Sequence, residues 1–453
     1  MAKKKIEVVT RELEGADLMT ILADGCSSDL FDKNKLVDFS YSTGIPVIDY
    51  LLGYETLVKD PETKEIIKKR QVLGLQAGSF NILTGKSQSF KTTIGMNIVS
   101  NIAVDPDVNG NVVHYDAEGR LVLQRVKTIT QLPDEWFNAE HPRYALKSGT
   151  IGFDRLKKDI AEIYESKMKH KDLLLRDTGE VDDKNRPIIL MPPTLVLIDS
   201  LQHIVISEDA YDVNDKQFQG SKELRNNMVG AITAKTIRGF ISDIIPMQKE
   251  ANIIVLCVAH KTGNVSTNAF LAPSKQFQYG SVSERISGGS AVEYDPSALM
   301  SFTGYSSNDS RFTKEQDGFD GNLVLFEPIK CSTNQSGNAK TGISVDIVID
   351  KGRDGVDNYR TLSLYLKSKG RLKGNNAGWK VIKADGTETE TRYRWKHIYD
   401  DMEKDPKLFT EFMQASIEEL EKLLSPAVNN TGKKPMKINN ILKELKASST
   451  ANE

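Results

Sequence analysis

The chain has 453 residues, of which 39% are hydrophobic and 27% charged, and this balance is typical of a soluble globular protein with about two or three domains. Its 60 Lys and Arg nearly cancel its 62 Asp and Glu, so the overall charge does not indicate a nucleic-acid partner, and any such site must be a local basic track. The chain has no apolar run of about 18 residues and its start, MAKKKIEVVT, lacks the apolar stretch of a signal peptide, so we expect a cytoplasmic protein without a membrane span.

The first predicted element is a charged N-terminal segment. Residues 1–40 contain the helix-like stretch ELEGADLMTILADG, and we interpret them as an arm and not as a domain. VKDPETKEIIKKRQ follows, and its turn signal at Asp60-Pro61 predicts a hairpin on the surface. Further along the chain, LLLRDTGEVDDKNRPIILMPP predicts a second surface hairpin.

From about residue 74 onward, short apolar strands alternate with helical patterns. GSFNILTG, VVHYDAE, TLVLIDS and NIIVLCVAH resemble strands, whereas KTTIGMNIVSNIAV and FDRLKKDIAEIYESKMK have helical periodicity. This alternation predicts an α/β core with a mainly parallel sheet flanked by helices, which we assign to residues 41–364. Residues 365–430 predict a small α+β domain that contains the amphipathic helix KLFTEFMQASIEELEKLLS, and residues 431–453 form a polar, basic tail.

One segment between a predicted strand and a predicted helix has the spacing of a phosphate-binding loop. Gly85, Lys91 and Thr92 fit the pattern GxxxxGK[ST], and Phe90 replaces its second glycine. In such loops backbone N–H groups surround the phosphates, the lysine neutralises charge and the hydroxyl binds Mg²⁺. Since a bulky residue with a positive φ is strained, we expect Phe90 to have a negative φ. The predicted nucleotide contacts of this segment are Gly85, Lys86, Ser87, Gln88, Ser89, Phe90, Lys91, Thr92 and Thr93.

Two other predicted strands end in acidic residues suited to the same chemistry. TLVLIDS ends at Asp199 and Ser200, where a carboxylate would help Thr92 to hold Mg²⁺ beside the phosphate loop. VVHYDAE ends at Glu118, which can orient the water that attacks a terminal phosphate. Each acidic residue alone would also fit a strand-end turn or a helix start, but their order on successive apolar strands favours a nucleotide site.

Together these motifs resemble the RecA recombinases, and among them the UvsX-type recombinases of tailed bacteriophages, over roughly residues 30–400. GSFNILTGKSQSFKT is similar to the UvsX-type phosphate loop, which also has Ser-Phe before the lysine. HYDAEG is similar to the strand that carries the family's catalytic glutamate, here Glu118, and VLIDSL to its Mg²⁺-binding strand, here Asp199 and Ser200. IIVLCVAH ends where the family has a residue that senses the γ-phosphate, here His260.

The resemblance also implies segments that bind DNA. The stretch from about Lys261 to Ala291 is similar to the family's second DNA-binding loop, and a long polar segment of this kind is often functional. The segment from about His203 to Gly230 takes the place of the first DNA-binding loop, with a plain acidic surface loop as the alternative. The implied DNA contacts are Lys222, Arg225, Lys261, Lys275, Arg285, Gly288 and Gly289.

Four positions concern contacts with the nucleotide base or with a neighbouring subunit. Lys330 matches a family lysine that reaches the neighbour's nucleotide, whereas Ser332 replaces the second such lysine. Arg125 stands where the family has a tyrosine that stacks on adenine, and a guanidinium can also stack. Phe31 in the arm is a candidate contact with the next subunit.

The resemblance therefore implies an ATP- and Mg²⁺-dependent enzyme with Glu118, Lys91, His260 and Lys330 as its catalytic residues. Such a protein would form helical homo-oligomeric filaments on single-stranded DNA and exchange strands with double-stranded DNA. Its further partners would be a single-strand-binding protein and a loading mediator, in the cytoplasm of a phage's bacterial host. Two alternatives stay open, which are a RecA-fold ring helicase or DNA motor, and an ATP-binding DNA-coating filament protein with little turnover.

Overall fold

The computed structural model describes residues 38–138, 140–206, 222–263, 284–305, 321–332, 342–350, 352, 355–375 and 377–426, with only the backbone described for 222–231. The strands are β1 (Ser40–Tyr41), β2 (Tyr54–Lys59), β3 (Ile66–Val72), β4 (Leu75–Gln76), β5 (Phe80–Gly85), β6 (Asn111–Asp116), β7 (Tyr144–Ser148), β8 (Arg176–Val181), β9 (Pro187–Leu190), β10 (Thr194–Asp199), β11 (Ile253–Gly263), β12 (Glu284–Ile286), β13 (Ala298–Gly304), β14 (Gly321–Cys331), β15 (Val345–Asp350), β16 (Gly355–Val356), β17 (Leu372–Asn375) and β18 (Gly378–Val381). The helices are α1 (Pro46–Leu52), α2 (Lys91–Val104), α3 (Leu123–Thr130), α4 (Glu135–Asn138), α5 (Phe153–Lys169), α6 (Lys171–Leu174), α7 (Lys222–Ala251), α8 (Ala291–Tyr294), α9 (Asn358–Ser368), α10 (Ile398–Lys404) and α11 (Pro406–Glu421), with short 3₁₀ turns at Leu201–His203 and Trp395–His397.

A ten-stranded sheet forms the centre of the described chain. Its order is β16-β15-β14-β13-β5-β11-β10-β6-β7, and β12 pairs with the end of β11. The strands from β13 to β7 are parallel to their neighbours, whereas β14, β15 and β16 extend the sheet in antiparallel fashion. The predicted α/β architecture with a mainly parallel sheet flanked by helices is confirmed.

The middle of β10, from Leu195 to Ile198, is apolar at successive positions because helices cover both faces of the sheet. In β10, Leu195 and Leu197 pack into the core that includes α1, α2, α9 and α11, whereas Val196 and Ile198 pack into the core formed with α5 and α7. Successive side chains of a strand point to opposite faces, so a strand between two helical layers has to be apolar throughout. This arrangement explains the uninterrupted runs TLVLIDS and NIIVLCVAH in the sequence.

The peripheral elements also agree with the sequence pattern. The two predicted hairpins are β2–β3 and β8–β9, and they touch where the Lys59 N–H donates to the Asp183 carbonyl at 2.9 Å. Residues 365–430 contain the antiparallel pair β17–β18, and the predicted amphipathic helix is α11. Within the described ranges, no helix combines the length and apolarity needed to cross a membrane.

Both candidate DNA segments differ from their predicted loop conformation. Residues 222–230 form the first turns of α7, so that part of the loop prediction is wrong; the polar sequence KELRNN there shows no apolar periodicity. The stretch from Lys261 begins as the last residues of β11 and returns as β12, and the two pair in antiparallel fashion. These strand residues went unpredicted because the short segments KTG and ERI lack the apolar alternation of a half-buried strand. The interiors, residues 207–221 and 264–283, lie outside the described residues.

Candidate functional site

The carboxyl ends of four parallel strands meet at one edge of the sheet. β5 ends at Gly85, β10 at Asp199 and β6 at Asp116, while β11 passes through His260 at the same level. The register pairs His260 with Gly85 and Asp199 with Asp116. Because parallel strands align their carboxyl ends, the residues that follow them share one crevice, which is where α/β sheets bind ligands.

The loop after β5 closes tightly around the side chain of Lys91. A Cβ added to Gly85 would lie 2.2 Å from the Phe302 carbonyl oxygen, so only glycine fits at the start of the loop. The Lys91 ammonium donates to the Lys86 carbonyl at 2.6 Å and to the Ser89 hydroxyl at 3.2 Å. Burial lowers the pKa of Lys91 to about 8. The charge is thus held inside the loop by groups that a phosphate can replace.

Phe90 has φ +58° and ψ +19°, so the expectation of a negative φ is wrong. The residue joins the loop to α2, and its carbonyl accepts the Ile94 N–H at 2.9 Å as the first helical bond. This junction requires a left-handed residue, which explains the glycine of the general pattern. A side chain in this conformation costs about 1–2 kcal/mol. The ring of Phe90 is half-buried against the α2 side of the core, and this packing offsets part of the cost.

Thr92 and Asp199 form the pair of oxygens that the sequence predicts for Mg²⁺. The Thr92 hydroxyl donates to the Asp199 carboxylate at 2.6 Å. Burial, reinforced by the nearby charges of Glu118 and Asp116, raises the pKa of Asp199 to about 6. Among the described residues, no group of three or more His, Cys, Asp or Glu side chains is placed to hold a metal ion.

Asp199→Asn should stabilise the ligand-free protein at neutral pH. The folded-state pKa of Asp199 is raised from 3.8 to about 6, so the folded state binds the extra proton and loses stability as pH rises between these values. Each pKa unit corresponds to about 1.4 kcal/mol, and we expect a gain of about 1–3 kcal/mol at pH 7.5. Urea unfolding at pH 4 and pH 7.5 measures it, with the exposed Asp154→Asn as control. An equal effect at both pH values would contradict this electrostatic origin.

Glu118 lies at the centre of a polar cluster beside this pair. Its Oε1 accepts a hydrogen bond from the Ser200 hydroxyl at 3.2 Å and lies 3.4 Å from His260 Nε2 and 3.4 Å from His203 Nδ1. Its Oε2 lies 3.6 Å from the exposed Arg120 guanidinium. The sequence predicted Glu118, Ser200 and His260 but missed His203, although a histidine four residues after the strand-end aspartate was a usable signal.

Asp116 has a different task from Glu118. Its buried carboxylate accepts the N–H groups of Gly119 and Leu121 at 3.0 and 2.9 Å and the Ser148 hydroxyl at 3.0 Å. These bonds hold the turn that follows β6 and therefore fix the direction in which Glu118 points. The sequence could not separate the two roles, because both acidic residues stand at the same strand end.

Glu284 connects the phosphate loop to the base of the ribbon β11–β12 and was missed by the sequence analysis. One carboxylate oxygen lies 2.9 Å from Lys86 Nζ and the other 3.8 Å from Lys261 Nζ. Lys261 also donates to the Ser301 hydroxyl at 2.8 Å, and burial lowers its pKa. The Lys86 contact lowers the pKa of Glu284. Lys261 is therefore an internal partner at the site as well as a predicted DNA contact.

Gly288 and Gly289 form the turn between β12 and α8. Their φ values of +116° and +85° favour glycine, and a Cβ on Gly289 would lie 2.6 Å from the Ala234 Cβ of α7. The turn therefore requires both glycines for folding, whatever their predicted contact with DNA. Arg285 beside them is exposed, with its Nε 3.4 Å from the Thr262 hydroxyl.

The remaining predicted site residues lie apart from this cluster or beyond what the structure describes. Arg125 is exposed on α3, and Lys330 of β14 pairs opposite Leu299, nearer the other edge of the sheet, and donates to the Tyr294 carbonyl. Of the loop residues, Ser87 and Gln88 are exposed and Thr93 is buried in α2. For Lys222 and Arg225 only the backbone of α7 is described, and Phe31 and Lys275 lie outside the described residues.

The arrangement combines the chemical groups that phosphoryl transfer to water requires. It offers a lysine and a helix start for phosphates, a hydroxyl–carboxylate pair for Mg²⁺, and a glutamate held near both. The sequence matches no protein-family model, and a search among curated proteins likewise gives no match. The chemistry of this site therefore has to be inferred from its own geometry.

Proposed function

We propose that the protein is a RecA-type ATPase that binds ATP with Mg²⁺ at this sheet edge. The supporting observation is the convergence of five side chains on the carboxyl ends of adjacent strands, at the start of a helix whose preceding loop has the P-loop spacing. The phosphate loop follows β5, whereas the carboxylates of Glu118 and Asp199 lie at or just after the ends of β6 and β10, far away in the sequence. A chance match to a short motif would not bring these groups together in space. The five side chains are Lys91, Thr92, Asp199, Glu118 and His260.

In the proposed reaction the chain's own residues hold the phosphates and prepare the water. Lys91 leaves the Lys86 carbonyl and donates to the terminal phosphates. Thr92 and Asp199 would hold Mg²⁺, which would neutralise charge on the phosphates. Burial is the main cause of the raised pKa of Asp199, with the charges of Glu118 and Asp116 adding to it, and a bound cation would favour the ionised carboxylate.

Glu118 is the proposed general base for the attacking water. Its side chain is 19% exposed, and Ser200 and His260 contact its Oε1. These contacts orient the carboxylate and leave it accessible to a water molecule. His260 lies between Glu118 and the phosphate loop, since it pairs with Gly85 in the sheet. It is therefore placed to respond to a bound γ-phosphate and to pass that response along β11.

The proposed biological function is filament formation on single-stranded DNA, followed by homologous pairing and strand exchange. β11 runs without a break from His260 to Gly263, so a shift at the phosphate site reaches the base of the segment 264–283 within three residues. Glu284 joins the same base to Lys86 of the phosphate loop. The continuous strand β11 and the Glu284–Lys86 ion pair thus connect the nucleotide site to the ribbon in two independent ways. Both support a coupling between ATP binding and DNA binding, as the resemblance to recombinases implies.

Arg285→Ala should weaken binding to single-stranded DNA and reduce its salt dependence. Arg285 is an exposed cation at the base of the ribbon, and each phosphate contact on a single strand contributes about 0.7 to the slope of log K against log salt. Fluorescence anisotropy measures this slope with a labelled oligonucleotide. The salt concentration is varied from about 50 to about 200 mM, roughly the range over which phosphate contacts dominate the salt dependence. The exposed Arg176→Ala on the β8–β9 hairpin is the control. An unchanged slope would remove Arg285 from the DNA surface.

Three assays on the wild-type protein test the proposed function. ATP hydrolysis with and without single-stranded DNA tests the enzyme, and electron microscopy with ATP and DNA distinguishes helical filaments from closed rings. Strand exchange between a circular single strand and a homologous duplex tests recombination. Closed rings would favour a helicase or motor, and filaments with negligible turnover would favour a DNA-coating protein.

A further inference from the structure

A hydrogen-bonded path leads from Glu118 towards solvent through two residues after β10. Ser200 Oγ lies 3.2 Å from Glu118 Oε1 and 2.8 Å from His203 Nδ1. The side chain of His203 is 44% exposed, whereas that of Glu118 is 19% exposed. The path therefore starts at the less accessible carboxylate and ends at a ring in contact with water.

The hydroxyl of Ser200 has one proton, and this fixes the directions of the bonds. While Glu118 is ionised, Ser200 donates to it and accepts from His203 Nδ1–H. Once Glu118 has taken a proton, it becomes a donor, so Ser200 accepts from it and donates to an unprotonated His203 Nδ1. Glu118, Ser200 and His203 can therefore remain hydrogen-bonded to one another whether Glu118 is ionised or protonated.

We infer that His203, acting through Ser200, returns Glu118 to its ionised form after each turnover by accepting its proton. This inference rests on the proposed ATPase function. With His203 in its Nε2–H tautomer, the proton on Glu118 passes to Ser200 Oγ, the hydroxyl proton of Ser200 passes to His203 Nδ1, and the imidazolium releases its Nε2 proton to water. This leaves the Nδ1–H tautomer bonded to Ser200, and the exposed ring returns to the Nε2–H tautomer by exchanging protons with water before the next turnover. No proton or electron pair is left over, and Ser200 ends as it began.

His260 is the competing acceptor, because its Nε2 also lies 3.4 Å from Glu118 Oε1. Burial and the neighbouring Lys91 ammonium lower the pKa of His260, which makes it a weaker proton acceptor. Among the described residues, His203 faces Glu118, with its Nδ1 3.4 Å from Oε1, and the ring of His260, with centroids 6.4 Å apart, whereas Arg120 lies 3.6 Å from the other oxygen of Glu118. Of the two rings, the more exposed His203 is better placed to exchange its proton with water.

The test compares His203→Ala with His203→Asn in steady-state ATP hydrolysis. Asn keeps a donor close to the position of Nδ1 but cannot take up a proton, so it preserves orientation without relay. We expect kcat to fall about tenfold in both variants with KM unchanged, a loss below the usual range for a direct acid–base group. Imidazole added to the buffer should restore His203→Ala but not His203→Asn. The control is His141→Ala, which alters an exposed histidine before β7, at the opposite edge of the sheet.

The outcomes separate this inference from the function on which it rests. Wild-type kcat in His203→Asn would show that the residue only orients Ser200 and would overturn the relay. Wild-type kcat in His203→Ala, or no response of that variant to imidazole, would overturn it as well. Absence of turnover in the wild-type protein would instead overturn the ATPase function, and the relay with it.

Discussion

Lys91→Ala should reduce ATP hydrolysis by at least about 10²–10³-fold, the usual loss when one preorganised charge is removed from a transition state. The Lys91 ammonium is buried inside the phosphate loop, 2.6 Å from the Lys86 carbonyl, and depends on the loop alone for its orientation. Alanine cannot donate to a phosphate, and the other lysine of the loop, Lys86, is paired with Glu284 at 2.9 Å. Phosphate release measured under saturating ATP and Mg²⁺ gives the rate.

The same substitution should leave the fold intact, because burial already disfavours the charged form of Lys91 and lowers its pKa to about 8. Thermal unfolding without nucleotide is the check on folding. Lys68→Ala, which removes an exposed lysine from the β2–β3 hairpin, is the matched control for loss of a positive charge. A Lys91→Ala variant that is folded and hydrolyses ATP at the wild-type rate would reject the assignment of this loop.

Glu118→Gln should retain ATP and Mg²⁺ binding but lose hydrolysis by about 10²–10⁴-fold, the range expected for a general base. Glutamine has the shape of glutamate and still accepts from Ser200, but its amide cannot take a proton from water. On single-stranded DNA the variant should form filaments that persist after ATP addition. Nucleotide binding by equilibrium dialysis and filament lifetime by light scattering measure the two halves of this result.

Glu135→Gln is the matched control, because this exposed glutamate lies on α4 and has the same change in charge. Weakened nucleotide binding in Glu118→Gln would assign the residue to binding. Rapid filament turnover with unchanged hydrolysis would instead show that another group acts as the base. Asp116 is another carboxylate close by, but it already accepts hydrogen bonds from two backbone N–H groups and from the Ser148 hydroxyl. These bonds stabilise the turn after β6 and make Asp116 a poor candidate for the base.

The sequence alone predicted the layered α/β architecture, both surface hairpins and the amphipathic helix α11. It succeeded there because the signals are local: strands buried on both faces are apolar throughout, and a helix on a core has a repeating apolar face. The strand ends at Gly85 and Asp199 were located in the same way, since each follows an apolar run, whereas β6 ends at Asp116, two residues before Glu118, and β11 continues past His260 to Gly263.

Features that depend on packing between distant segments were missed or mistaken. Phe90 has a positive φ because the loop has to turn into α2 at that residue, and a motif in which phenylalanine replaces glycine does not reveal the backbone angle. His203 and Glu284 acquire their roles from partners on other strands, Glu118 and Lys86. The polar start of α7 and the ends of the ribbon lack apolar periodicity, so nothing in their local sequence distinguished them from loops.

By itself, the sequence determined where the apolar runs of β5 and β10 stop and which chemical groups stand there, because burial of these strands dictates an apolar run and its limits. Only the tertiary structure decided that β5, β11, β10 and β6 lie side by side in that order, although they are dispersed along the chain. Strand order depends on how helices pack across both faces of the sheet, which no single segment encodes. The separate tasks of Asp116 and Glu118 follow from that order, since they depend on which N–H, hydroxyl and imidazole groups the neighbouring strands bring within reach.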